Sequence, residues 1–96
     1  MVKPNLEKDK KLLVDTLKKL RSSKDLSNFI DDLLTEEEIL DLAQRIKIAK
    51  LILEENTYDE IAEKVGTSTS TVSKIGQIIK YGNNGLEKVL GKTLRK

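Results

Sequence analysis

Between Thr57 and Lys80 the chain gathers nine side chains suited to gripping a polyanion. They are the hydroxyls of Thr57, Ser68, Thr69, Ser70, Thr71 and Ser73, the ammoniums of Lys74 and Lys80, and the carboxamide of Gln77. Hydroxyls donate to phosphate oxygens and pair with several bases, lysines neutralise phosphates, and glutamine matches the edge of adenine. Thr57, Ser68, Lys74 and Lys80 are expected on phosphates, together with amides at helix starts. Thr69 and Ser70 are expected nearest the bases, with Ser73 a turn along and Gln77 beyond it. Thr71 is read as partly inward. Any one of these can equally be a solvent-facing helix residue; the surface they share is the firmer expectation. Direct readout by short hydroxyls is sparse, so water and DNA shape should carry part of any specificity.

The elements that must position these groups are legible in TYDEIAEKVGTSTSTVSKIG, residues 57–76. Two short helices flank Gly66, which permits a turn at positive φ without a Cβ clash. Thr57 and Glu60 form a Thr-x-x-Glu capping box for the first helix, and Ser68 or Thr67 can cap the second. Ala62 is small where the second helix crosses it. Ile61, Val65, Val72, Ile75 and Ile79 face inward while the opposite side stays polar. An ordinary αα-hairpin also uses a glycine turn, but its outer face would carry Glu and Lys instead of short polar side chains. The pattern therefore implies a DNA-binding helix-turn-helix.

Composition narrows the alternatives. The chain has 96 residues, no cysteine and no histidine, and Phe29, Tyr58 and Tyr81 are its aromatics. Disulfides, zinc fingers and Cys- or His-based catalysis are excluded, and no cofactor or metal is expected. A core of Leu, Ile and Val in so short a chain suits burial shared across a dimer. The lysine-rich first twenty residues hold no apolar run of signal-peptide type, and no stretch reaches transmembrane length, so a cytoplasmic location away from the membrane is expected. The net charge of +2 conceals segregation: residues 1–24 carry eight basic and three acidic side chains, 25–63 three and twelve, 64–96 seven and one. The acidic belt repels phosphate while both basic ends attract it.

Helical periodicity predicts six helices, at residues 5–22, 24–33, 36–54, 58–65, 68–81 and 85–94, and no strand. Thr35 with Glu38 marks the start of the third, whose broad apolar stripe suits contact with two partners. Gly82 and Asn83 or Asn84 in YGNNG end the fifth, and Leu86, Val89, Leu90 and Leu94 line the last. The expected organisation is a single domain over 1–96, with dimerisation helices at 5–56, the helix-turn-helix at 57–81 and a C-terminal helix at 82–96.

The run LLTEEEILDLAQRIKIAKLILEENTYDEIAEKVGTSTSTVSKIGQIIKYGNNGLEKVL resembles the Trp repressor superfamily, and within it the TrpR-related YerC/YecD-type branch, through LAQR at 42–45, the ST-x-T-V-S run and YGN. The likeness covers residues 22–90. It implies an all-α, six-helix fold, an intertwined homodimer with a helix-turn-helix head on each side, and a repressor that docks its second motif helix in the major groove. Arg45 and Thr35 match effector-binding positions of the family. A second family arginine is Lys74 here, a glycine is Ile75 and a serine is Ile78. Two isoleucines occupy space an indole needs, and lysine cannot stack as a planar guanidinium does. Tryptophan is therefore not the expected effector. Ile75 and Ile78 are expected to fill the cavity from within, or Arg45 to contact another effector; alternatively Arg45 simply pairs with Asp41 at i−4.

A rival use of the same helical dimer is a protein-binding adaptor of a transcription complex, with the acidic belt as its interface. An enzyme is not expected: Ser73 and Lys74 are adjacent, so their side chains diverge, and the carboxylates cluster at caps and solvated faces.

Overall fold

The computed structural model describes residues 2–91, and among them six helices and no strand. They are α1 (Leu6–Leu17), α2 (Ser23–Leu33), α3 (Glu36–Leu53), α4 (Tyr58–Val65), α5 (Thr69–Tyr81) and a short α6 (Glu87–Gly91) of π type. The chain divides into two compact units, one up to Glu36 and one from Glu37 onward.

In the first unit, Asn5 caps α1 by accepting from the Lys8 amide at 3.1 Å, and Ser22 caps α2 by accepting from the Asp25 amide at 3.1 Å. The first helix stops at Leu17, short of the expected 22. Lys19 and Leu20 donate to Thr16 and Leu17, three residues back, so the backbone tightens out of the α geometry. Ser22 must then be extended (φ −137°, ψ 164°) to serve as a cap, which bars the helix from continuing. Neither α1 nor α2 buries a side chain. Leu6 is 82% exposed, and Leu12, Leu13, Leu17, Leu26 and Leu33 are exposed as well.

The core lies in the second unit. Ile48 and Ala49 of α3, Ile61 of α4, and Val72 and Ile75 of α5 are buried together, with Leu51, Ile52, Tyr58, Ala62, Val65, Ile79, Leu86 and Leu90 packed around them. Among them, Ile61, Ala62, Val65, Val72, Ile75 and Ile79 are the inward positions read from the helix-turn-helix pattern. The earlier part of α3 keeps Leu40, Leu42 and Ile46 exposed. α3 closes in a Schellman turn, with Asn56 donating to Leu51 O at 3.1 Å and Glu55 to Ile52 O at 2.9 Å. Glu55 occupies the left-handed position at φ +69°, where glycine is the usual residue.

At the C-terminal end Gly82 caps α5, as expected, and one expectation changes, at Val89. Gly82 is not left-handed (φ −88°); Asn84 is, at φ +64°. Glycine is required at position 82 by close approach: the Gly82 amide donates to Ile78 O at 2.8 Å, and a Cβ would run into that carbonyl. Val89 is 73% exposed, while Leu86 and Leu90 reach the core. The wider π-type turn displaces Val89 from the 3.6-residue stripe on which it was expected. The expected extension of α6 to residue 94, with Leu94, lies outside the described residues.

Candidate nucleic-acid interface

Local chemistry fixes each end of the two motif helices. At α4 the Thr57 amide donates to Glu60 Oε1 at 2.8 Å while the Glu60 amide donates to Thr57 Oγ1 at 3.1 Å, the reciprocal box expected from the sequence. Those bonds hold the Glu60 carboxyl below its ordinary value of 4.5, first through the Thr57 amide, then through its hydroxyl, with Lys64 adding attraction. α4 ends at Gly66, left-handed at φ +79°, and the Gly66 and Thr67 amides both donate to Ala62 O, at 2.9 and 3.0 Å. A Cβ on Gly66 would meet no atom within 4 Å, so glycine is required there by backbone conformation alone.

Ser68 caps α5, its Oγ accepting from the Thr71 amide at 3.2 Å. The same oxygen lies 3.2 Å from Ser70 Oγ and 3.1 Å from Thr71 Oγ1. Three hydroxyls therefore meet at the start of a helix whose first turn contains no acid. The first turn of α4 differs, carrying Asp59 and Glu60. Of the two motif helices, α5 keeps the uncompensated positive end of a helix dipole that favours phosphate. The Thr57 amide, included in the expectation for helix-start phosphate clamps, is occupied by the Glu60 carboxylate.

Thr57, Ser68, Thr69, Ser70, Lys74, Gln77 and Lys80 are exposed, and Val72 and Ile75 on the opposite side of α5 are buried. Thr71 is half-buried, as read from the sequence; Ser73 is half-buried too, further inward than the outer-face assignment had it. Lys74 and Lys80 add charge along the helix, and neither is in an ion pair: among the described residues the pair seen is Lys11–Asp15, at 2.6 Å.

The residues expected at an effector site are less well accounted for. Thr35 is exposed just before α3, and Arg45 is exposed within it. Arg45 makes no pair with Asp41. Ile75 is buried, but Ile78 is 46% exposed, so it does not fill a cavity within this chain as expected. Ile78 follows Ile75 by three residues, and the rotation of α5 carries it away from the Val72–Ile75–Ile79 stripe. An open cleft of about 330 Å3 does lie between α3 and α4, lined by Lys47, Lys50, Leu51, Glu54, Lys64 and Val65; neither Arg45 nor α5 borders it.

Sequence reasoning missed two contacts that hold the head together. Asn56 donates through Nδ2 to Leu51 O at 3.0 Å and accepts from Lys64 Nζ at 3.4 Å, tying the end of α3 to the end of α4. Tyr58, at the start of α4, lies against the backbone of Gly76 in α5. A glycine inside an otherwise well-formed helix was the available signal for the second contact.

Comparison with known proteins agrees with this architecture. The family described as Trp repressor protein matches residues 8–94, a span that takes in most of α1. The uncharacterized protein YerC of Bacillus subtilis (strain 168) is 37% identical over 78 residues, which cover 81% of this chain and 75% of that protein. The crystal structure of a TrpR-like protein from Eubacterium eligens ATCC 27750 superposes with a TM-score of 0.78 at 36% identity, covering 86% of each chain. A Staphylococcus aureus structure described as a Trp repressor candidate gives a TM-score of 0.78 at 30% identity, covering 97% of this chain and 91% of that one.

Proposed function

The chain belongs to the Trp repressor family, whose members are helix-turn-helix transcription regulators, and from that premise we propose that it is a sequence-specific double-stranded DNA-binding repressor acting in the cytoplasm as a homodimer. The observation that carries the reading is the start of α5. Exposed Thr69 and Ser70, the Ser68–Ser70–Thr71 hydroxyl cluster and an acid-free first turn face away from the buried Val72 and Ile75. Phosphate binds such a helix start, and the hydroxyls reach base edges when α5 lies in the major groove. Lys74 and Lys80 supply phosphate contacts along the helix, and Thr57 supplies a hydroxyl.

Dimerisation is supported by the apolar surface that one chain leaves uncovered on α1, α2 and the first part of α3. Surfaces of this kind mark interaction sites, and a second copy offers the matching face. Two heads then meet half-sites separated by one helical turn, about 34 Å. Repression needs only occupancy of a promoter. Tryptophan is not the effector in this reading, because Lys74, Ile75 and Ile78 stand where an arginine, a glycine and a serine would receive an indole.

Selection from random duplex DNA with purified protein and no small molecule tests the proposal. Enrichment of a two-fold symmetric site is the expected result. Salt-sensitive binding without sequence enrichment would overturn the ligand-independent, sequence-specific reading.

A further inference from the structure

Gly76 is buried in the middle of α5, and a Cβ built on it would lie 2.9 Å from Tyr58 Cζ and nearer still to the Tyr58 hydroxyl oxygen. Tyr58 is the first residue of α4 and packs against the core of the second unit. A tyrosine has two side-chain torsions, so its tip cannot withdraw unless the whole ring moves. Val72, Ile75 and Ile79 hold α5 to the core through apolar contacts. These lie along one stripe, and ridges-into-grooves packing of such a stripe sets a crossing angle only to within about 15–20°, which leaves room for tilt. An aromatic ring against bare helix backbone is a different kind of contact, with no slack in one direction.

We propose that Tyr58 and Gly76 form the stop that sets the inclination of α5 on α4, and with it the register at which Thr69, Ser70 and Ser73 meet base edges. Both are positioning residues: they act through the helix and not by touching DNA. Gly76 lies three residues beyond Ser73 and one before Gln77, within a turn of the reading surface, so a tilt about this point carries directly to it. The inference rests on the reading of α5 as the DNA-reading helix.

The test compares full-length wild type, Gly76→Ala, Tyr58→Leu and the double variant. Binding is measured to the selected duplex and to random duplex, alongside backbone amide resonances of the free protein. Gly76→Ala forces ring and helix apart, and Tyr58→Leu removes the stop without a clash. Each is expected to lower affinity for the selected duplex about tenfold while random-duplex affinity stays within about twofold. Each is also expected to move amide resonances from Thr69 to Lys80. The double variant, in which the new methyl meets the shorter leucine, regains most of both. If the single effects instead add in the double variant, or resonances move only beside the mutated residues, the stop is overturned. A wild type that prefers no duplex would overturn the DNA reading; the resonance shifts of the four proteins would then decide the stop by themselves. If Gly76→Ala does not fold, Tyr58→Leu decides: retained preference for the selected duplex overturns the stop, and lost preference supports it.

Discussion

At the scale of single residues, Thr57 has two functions that separate experimentally. As a cap, its loss in Thr57→Ala should cost about 1 kcal/mol in denaturant unfolding. It also lowers the Glu60 carboxyl, which gives stability a pH dependence of definite sign. A carboxylate depressed in the folded state contributes stability above its unfolded value, near 4.5, and that contribution is lost as pH falls through the lower folded value. Unfolding midpoints measured between pH 6 and pH 3 should therefore fall less steeply for Glu60→Gln than for wild type, and Thr57→Ala, which removes the hydroxyl but keeps the amide that is the larger cause, should flatten the same component only in part. On the DNA side, Lys74→Ala should weaken binding to every duplex alike and reduce the slope of log affinity against log salt by about two units, one for the lysine of each protomer in the proposed dimer. Ser70→Ala should instead narrow the gap between selected and random duplexes and leave the salt slope unchanged. Binding titrations at several salt concentrations read both.

At the scale of elements, the turns give the clearest predictions. Gly66→Ala meets no atom, so its whole effect is the cost of forcing a Cβ into the left-handed region, about 1–2 kcal/mol. Glu55 already bears a cost of this kind at the end of α3, and Glu55→Gly should raise stability by about 0.5–1 kcal/mol. Thermal melts of the two variants should thus shift in opposite directions. The difference between these turns also explains what the sequence could disclose. Gly66, the Thr57–Glu60 box and Ser68 announce their conformation by residue type, and the periodicity of Ile61, Val72 and Ile75 announces their burial. The helix-turn-helix was legible for those reasons. Glu55 carries no such signature; its left-handed backbone follows from the Schellman bonds of the turn, a local arrangement that its residue type does not declare. The early end of α1 was hidden for the same reason, since Leu20 continues the apolar spacing while the Ser22 cap stops the helix. In the candidate site, hydroxyls and lysines could be named from their types. Whether Ser73 or Ile78 turned outward depended on a few tens of degrees of rotation that periodicity does not resolve.

For the whole molecule, the contrast among the described residues is between five buried side chains in the second unit and none in α1 or α2. A homodimer that covers the exposed leucines should unfold at a temperature that rises with protein concentration. Leu12→Asp or Leu17→Asp should yield a lighter species in sedimentation and a lower melting temperature, with random-duplex binding weakened because two heads no longer act together. So small a private core has a further outcome inside a cell. In the proposed homodimer, a chain that completes its interior by meeting another copy would be sensitive to dilution. When synthesis slows and the cell grows, solitary chains unfold and become substrates for proteolysis faster than paired ones. Occupancy of an operator would then fall more steeply than copy number itself, giving the regulator a threshold set by its own abundance without any small molecule.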